Sequence, residues 1–148
     1  MVAGAGLVGC STYSGNTLGE QIESWASSTS TGGPPFWAQV GTVVADAQRV
    51  GLVERRGDPA AVRTDCVVLS NDTRAVYQFL PTPDSGLTAA LDQALTTEEN
   101  AATDCYGGAR GGSQLARADS ERARAATELA LARTLYDTLT AGVASESP

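Results

Sequence analysis

VRTDCVVLSNDTRAVYQFL, residues 62–80, and LTAALDQALTTEENAATDC, residues 87–105, carry one pattern twice. Val62, Cys66, Leu69, Thr73, Val76 and Leu80 step by 4, 3, 4, 3, 4, and Leu87, Leu91, Ala94, Glu98, Ala101 and Cys105 repeat the same steps. That spacing puts each set on one face of a helix. Pro81-Thr82-Pro83-Asp84 stops the first helix, since proline lacks the N–H a continuing helix needs, and Asp84 or Ser85 can cap the second. The turn-like Ser70-Asn71-Asp72 then sits on the solvent side of a continuous helix. An antiparallel helical hairpin is predicted, with one cysteine on the inward stripe of each arm.

The flanking sequence has the same period. Leu18, Ile22, Trp25 and Ala26 follow Asn16, a capping residue type, and predict a first helix over about 16–29. Pro34-Pro35 opens a second that runs to about Arg56, with Trp37, Val40, Val44, Ala47 and Gly51 inward and Phe36, Val43 and Val50 widening the stripe. Asp58-Pro59 pairs an N-cap with proline at the first helical position, which starts the third helix. After Gly107–Gly112, a flexible linker by composition, a last helix spans Ser113 to about Thr140, with Leu115, Ala118, Ala125, Leu129, Ala132, Tyr136 and Leu139 inward. Arg117, Glu121, Arg124 and Glu128 read as its solvated face. The expected fold is all-α, an antiparallel bundle of four to five helices over residues 16–141, with 142–148 a disordered tail.

Composition narrows the function. Ten arginines and no lysine face seventeen acidic residues, for a net charge of -7 that repels phosphate backbones and argues against nucleic-acid binding. Histidine is absent, which removes His-dependent triads and the commonest metal ligand. No apolar run reaches the ~20 residues of a membrane-spanning helix.

The opening residues Met1–Gly9 are uncharged and small or apolar, like the distal half of a secretory signal, and Ser11–Asn16 is polar. Leu7-Val8-Gly9-Cys10 resembles the bacterial lipobox, and the chain, including TDCYGG (residues 103–108) before a long Ala/Leu/Arg helix, resembles small exported helical lipoproteins of actinobacteria. The resemblance implies that residues 1–9 are a signal-peptide remnant, that Cys10 is lipidated after cleavage, and that 10–15 form a tether. It implies a cell-membrane address on the extracytoplasmic face. Two or more acyl chains, at ~0.8 kcal/mol per buried CH₂, hold durably where one holds weakly.

With Cys10 set aside, Cys66 and Cys105 are an even pair, and export would place them where disulfides persist. Two buried free thiols are the alternative, and a zinc site lacks the ligands to complete it. Pairing Leu80 with Leu87 across the hairpin sets Cys66 opposite Ala101, about one helical turn (~5.4 Å) short of Cys105. Fraying of the fourth helix near Thr103 is the expected remedy.

Carboxylate pairs stand at Glu20/Glu23, Glu98/Glu99 and Asp119/Glu121, and only Glu98 falls on an apolar stripe. Burial there would raise its pKa toward proton-transfer use; a side chain snorkelling to water is the commoner outcome. Trp25, Phe36 and Trp37 flank the Ser/Thr/Gly loop and are the candidate partner-binding residues, with packing between the first two helices as the alternative. No catalytic, cofactor or metal motif stands out. The expectation is a non-enzymatic, lipid-anchored interaction module of the cell envelope, contacting another envelope protein. The alternative is a helical carrier or sensor for an apolar small molecule or lipid.

Overall fold

The computed structural model describes residues 16–29 and 33–143. Five helices run in chain order: α1 (Leu18–Ser27), α2 (Phe36–Arg56), α3 (Pro59–Tyr77), α4 (Ser85–Gly107) and α5 (Ser113–Thr140). Helices α2 to α5 pack as successive antiparallel neighbours, and α1 closes against the far end of α5. There a Cβ on Gly19 would lie 2.8 Å from Val143 and 3.0 Å from the Leu139 carbonyl, so this close approach requires glycine. The hypothesised tether, Cys10 and the tail beyond Val143 lie outside the described residues.

Most helix ends follow local chemistry. Asp58 Oδ1 accepts from the Ala60 and Ala61 N–H groups at 3.0 and 3.2 Å, and Asp84 Oδ1 accepts from Leu87 N–H at 2.7 Å. α2 stops at Gly57, whose φ of 70° is a left-handed cap that favours glycine. α1 departs from expectation: Thr17, not Asn16, is its cap, and it ends at Ser27. Thr17 Oγ1 accepts from Glu20 N–H while Glu20 Oε2 accepts from Thr17 N–H at 2.5 Å, a reciprocal pair that only a residue three before the glutamate can make.

The α3 and α4 stripes lie in the core as predicted. Val62, Cys66, Leu69, Thr73 and Val76 are buried, as are Leu87, Leu91, Ala94, Glu98, Ala101 and Cys105. Burying a leucine such as Leu91 fully is worth about 2 kcal/mol. The register between the arms differs from the prediction by about one turn. α3 ends at Tyr77, so residues 78–84 lie alongside the first turns of α4, where Thr82 N–H donates to Thr88 Oγ1 at 2.9 Å. Ser70 consequently meets Glu99, Tyr77 meets Asp92, and Cys66 meets Cys105 in a disulfide with a Cα separation of 6.0 Å. No fraying is needed, because α4 stays helical through Gly107.

Two further expectations are corrected. The inward face of α2 is Phe36, Val40, Val43, Asp46, Val50 and Val53, rotated from the Trp37/Val44/Ala47/Gly51 stripe. Asp46 interrupts the apolar pattern and hides the true face; its Oδ1 accepts from Arg49 at 2.6 Å, and its Oδ2 is buried without a partner among the described residues. Burial first, then the neighbouring Asp72 carboxyl, pushes its pKa up to about 6. The Gly107–Gly112 link is a tight turn: a Cβ on Gly108 would meet Leu115 N at 2.6 Å, and Gly111 and Gly112 take φ of 98° and 96°.

Candidate functional site

Glu98 sits mid-way along the buried stripe of α4, beside the sparse contact between α2 and α5. It is 2 % exposed and does not snorkel. Its Oε1 is buried with no hydrogen-bond partner among the described residues. Burial pushes its pKa up to about 7, against the opposing pull of Arg122.

Arg122 was missed by the sequence pattern. It occupies the inward stripe of α5 between Ala118 and Ala125, one step of four and one of three, and is 8 % exposed. The signal was present in that spacing; its charge disguised it. Nη2 donates to Glu54 Oε2 of α2 at 2.7 Å and to Asp119 Oδ1 one turn earlier in α5. Nη1 is buried and unpartnered among the described residues. Burial raises the Glu54 pKa; Arg122 opposes that and Asp119 reinforces it. The cluster touches the disulfide, with Cys105 Sγ 3.9 Å from Glu54 Oε1.

Helices α2 and α5 meet only sparsely. The gap is a pocket of about 200 Å³, walled by Val44, Ala47, Ala126 and Leu129 and lined also by Glu98 and Arg122. Gln48 also lines it, and Glu98 and Arg122 each carry a buried polar atom without a partner among the described residues. Two larger hollows, of about 320 Å³ between α2 and α3 and about 250 Å³ beside the disulfide, have no such orphaned atom among their lining residues.

The remaining candidates are placed elsewhere. Phe36 is fully buried, and the half-buried Trp25 and Trp37 pack against it, one tilted and one edge-on, with ring centroids 4.5 and 4.9 Å away. Trp25 Nε1 donates to the Phe79 carbonyl at 2.8 Å, and Arg133 lies 4.8 Å over the Trp37 ring. These aromatics thus join α1, α2, the end of α3 and α5. Glu20 serves the α1 cap, and Glu99 holds Ser70 and Arg74 of α3. The charged row on α5 is a seam with α4 as well as a solvated face. Arg117 pairs with Asp104 and lowers its pKa, while Glu128 accepts from Thr97 at 2.7 Å and Gln93 at 2.8 Å. Among the described residues no cluster of three metal-ligating side chains forms, and no helix is long and apolar enough to cross a membrane. No protein-family model, curated protein or solved structure matches the chain.

Proposed function

We propose that the chain is a membrane-anchored extracytoplasmic lipoprotein whose bundle works by non-covalent binding in the bacterial envelope. The observation that carries this is the Cys66–Cys105 disulfide, buried at the α3–α4 seam, because such bonds persist in oxidising compartments. The lipobox-like Leu7–Cys10 supplies the anchor and leaves Cys10 outside the crosslink. Intact mass of the native protein from its membrane fraction tests both. The expected species begins at Cys10, carries acyl mass and lacks the two thiol hydrogens; an unmodified chain in the soluble interior fraction overturns the proposal.

Within that role, the carrier or sensor reading has a specific observation behind it. Glu98 and Arg122, which each carry a buried unpartnered polar atom, line one cleft whose wall is otherwise mostly apolar; Trp37, Asp46 and Glu121 carry such atoms outside it. An envelope-protein partner on Trp25, Phe36 and Trp37 has less support, since those rings spend most of their surface on one another.

A further inference from the structure

The ten arginines divide into two groups by place. Arg49, Arg74, Arg117, Arg122, Arg124 and Arg133 each hold an ion pair with an aspartate or glutamate. Arg55, Arg56, Arg63 and Arg110 hold none among the described residues, although acidic side chains outnumber basic ones. All four sit at the end of the bundle where α2 turns into α3 and α4 into α5. Arg55 and Arg56 are in the last turn of α2, Arg63 follows Pro59 by about one turn of α3, and Arg110 shares a hollow of about 150 Å³ with Gly57 and Pro59. The acidic side chains nearby are engaged: Asp58 caps α3, Glu54 pairs with Arg122, and Asp104 pairs with Arg117. Asp65, further along α3, offsets one of the four. A helix dipole accounts for Arg55 and Arg56 at a C-terminus, and gives no reason for Arg63 and Arg110 beside the N-termini of α3 and α5. Folding alone thus leaves a positive end on a chain of net charge -7 unexplained.

Apolar surface gathers at the same end. Leu52 is exposed one turn before Arg55 and Arg56, Val67 one turn after Arg63, and Tyr106 close to the α4–α5 turn. Val67 and Tyr106 line the hollow of about 250 Å³ beside the disulfide, with Ala102 and the polar Ser70, Asn71 and Thr103; Arg74, which also lines it, is paired with Glu99. Cations around exposed apolar side chains complement a negatively charged chain that carries an apolar side chain of its own. An anionic bilayer would also attract the arginines, but a hollow of this size suits one inserted side chain. The proposed anchor also belongs to the opposite end. Gly19 packs beside Leu139, about 39 Å along α5 from Ser113 at ~1.5 Å per residue. The six-residue stretch from Cys10 to Asn16 spans at most about 21 Å. A bundle standing on its basic end would hold Cys10 out of reach of that bilayer. We propose that the basic end is the docking surface for an acidic segment of another envelope protein, with its carboxylates on Arg55, Arg56, Arg63 and Arg110 and an apolar side chain between Val67 and Tyr106.

This inference rests on the reading of the chain as an envelope binding module, and the test separates the two. The whole chain carrying Cys10→Ser, which needs no anchor, is titrated with a short synthetic peptide of glutamates around one leucine, and with the same peptide carrying glutamine for every glutamate. Affinity is read by fluorescence anisotropy, and backbone amide shifts are followed at Val67, Tyr106 and Arg110. The glutamate peptide is expected to bind at least about tenfold more tightly than the glutamine one at low salt, an advantage that shrinks as salt rises. Arg55→Gln with Arg110→Gln, both exposed, should weaken it at least about fivefold, while Arg133→Gln, whose arginine is already paired with Asp137, leaves it within about twofold. Absent binding, or binding that ignores the double substitution, overturns the proposal. Tighter binding of the same end to phosphatidylglycerol vesicles overturns it in favour of a bilayer, and self-association lost in the double variant overturns it in favour of a second copy. A native chain found without lipid overturns the anchored reading and leaves this titration untouched.

Discussion

The two sides of α4 solve the problem of burial differently. Toward α3 the seam is covalent and apolar: the disulfide lies in line with Leu69, Val76, Leu87 and Leu91, and its polar contacts, such as Ser70 with Glu99, stay at the edge. Toward α5 and α2, small residues at Ala94, Ala101, Ala118 and Ala125 let the helices approach, and charge is placed inside, on Glu98, Arg122 and Glu54. The α5 side keeps charged side chains buried at a cost in stability.

The contrast can be broken at its most costly point with Arg122→Leu. Removing the only positive charge in the cluster strands Glu54 and Glu98, so at pH 8 a loss of about 4 kcal/mol is expected in urea unfolding, shrinking as pH falls and those carboxylates take up protons. Unchanged stability at pH 8 would mean the ionic side is no burden. On the other seam, Cys66→Ala with Cys105→Ala opens a loop with a sequence separation of 39 residues and should cost about 3 kcal/mol, with little dependence on pH between 5 and 8.

The smallest effect has the opposite sign. Glu98 ordinarily titrates near 4.5 and in the fold near about 7, so between those values the folded chain holds a proton that the unfolded chain has released. Stability is then full below about pH 4.5 and falls as pH rises through about 7, and Asp46, raised from 3.8 to about 6, adds to the same slope. Glu98→Gln should accordingly stabilise the protein by about 2 kcal/mol at pH 8 and by nothing at pH 4, after allowing for the buried amide it introduces. A variant that loses stability at pH 8 would show that the carboxylate has partners in the fold.

Particular residues show what could be read along the chain. The caps at Asp58 and Asp84 and the repeated steps of α3 up to Val76 and of α4 depend on neighbours within a few residues, and each is legible; the end of α3, at Tyr77 and not at Pro81, was not. The inward face of α2 and the place of Arg122 were not, and for one cause. In each case a charge stands at a stripe position, and taken alone a charged residue belongs at the surface. The Glu54 that meets Arg122 is 68 residues away in the chain, so nothing local marks either one as buried.

The amino-acid order by itself determined an all-helical chain of four to five helices, their approximate limits, and that Cys66 and Cys105 both face inward, because helical period and capping are short-range physics. Tertiary structure alone decided the register that brings the two sulfurs together, the ion pair of Arg122 with Glu54, and the meeting of Glu98 and Arg122 at one cleft. Those depend on how long helices slide and close against one another, and a shift of one turn leaves every local pattern intact while changing every partner.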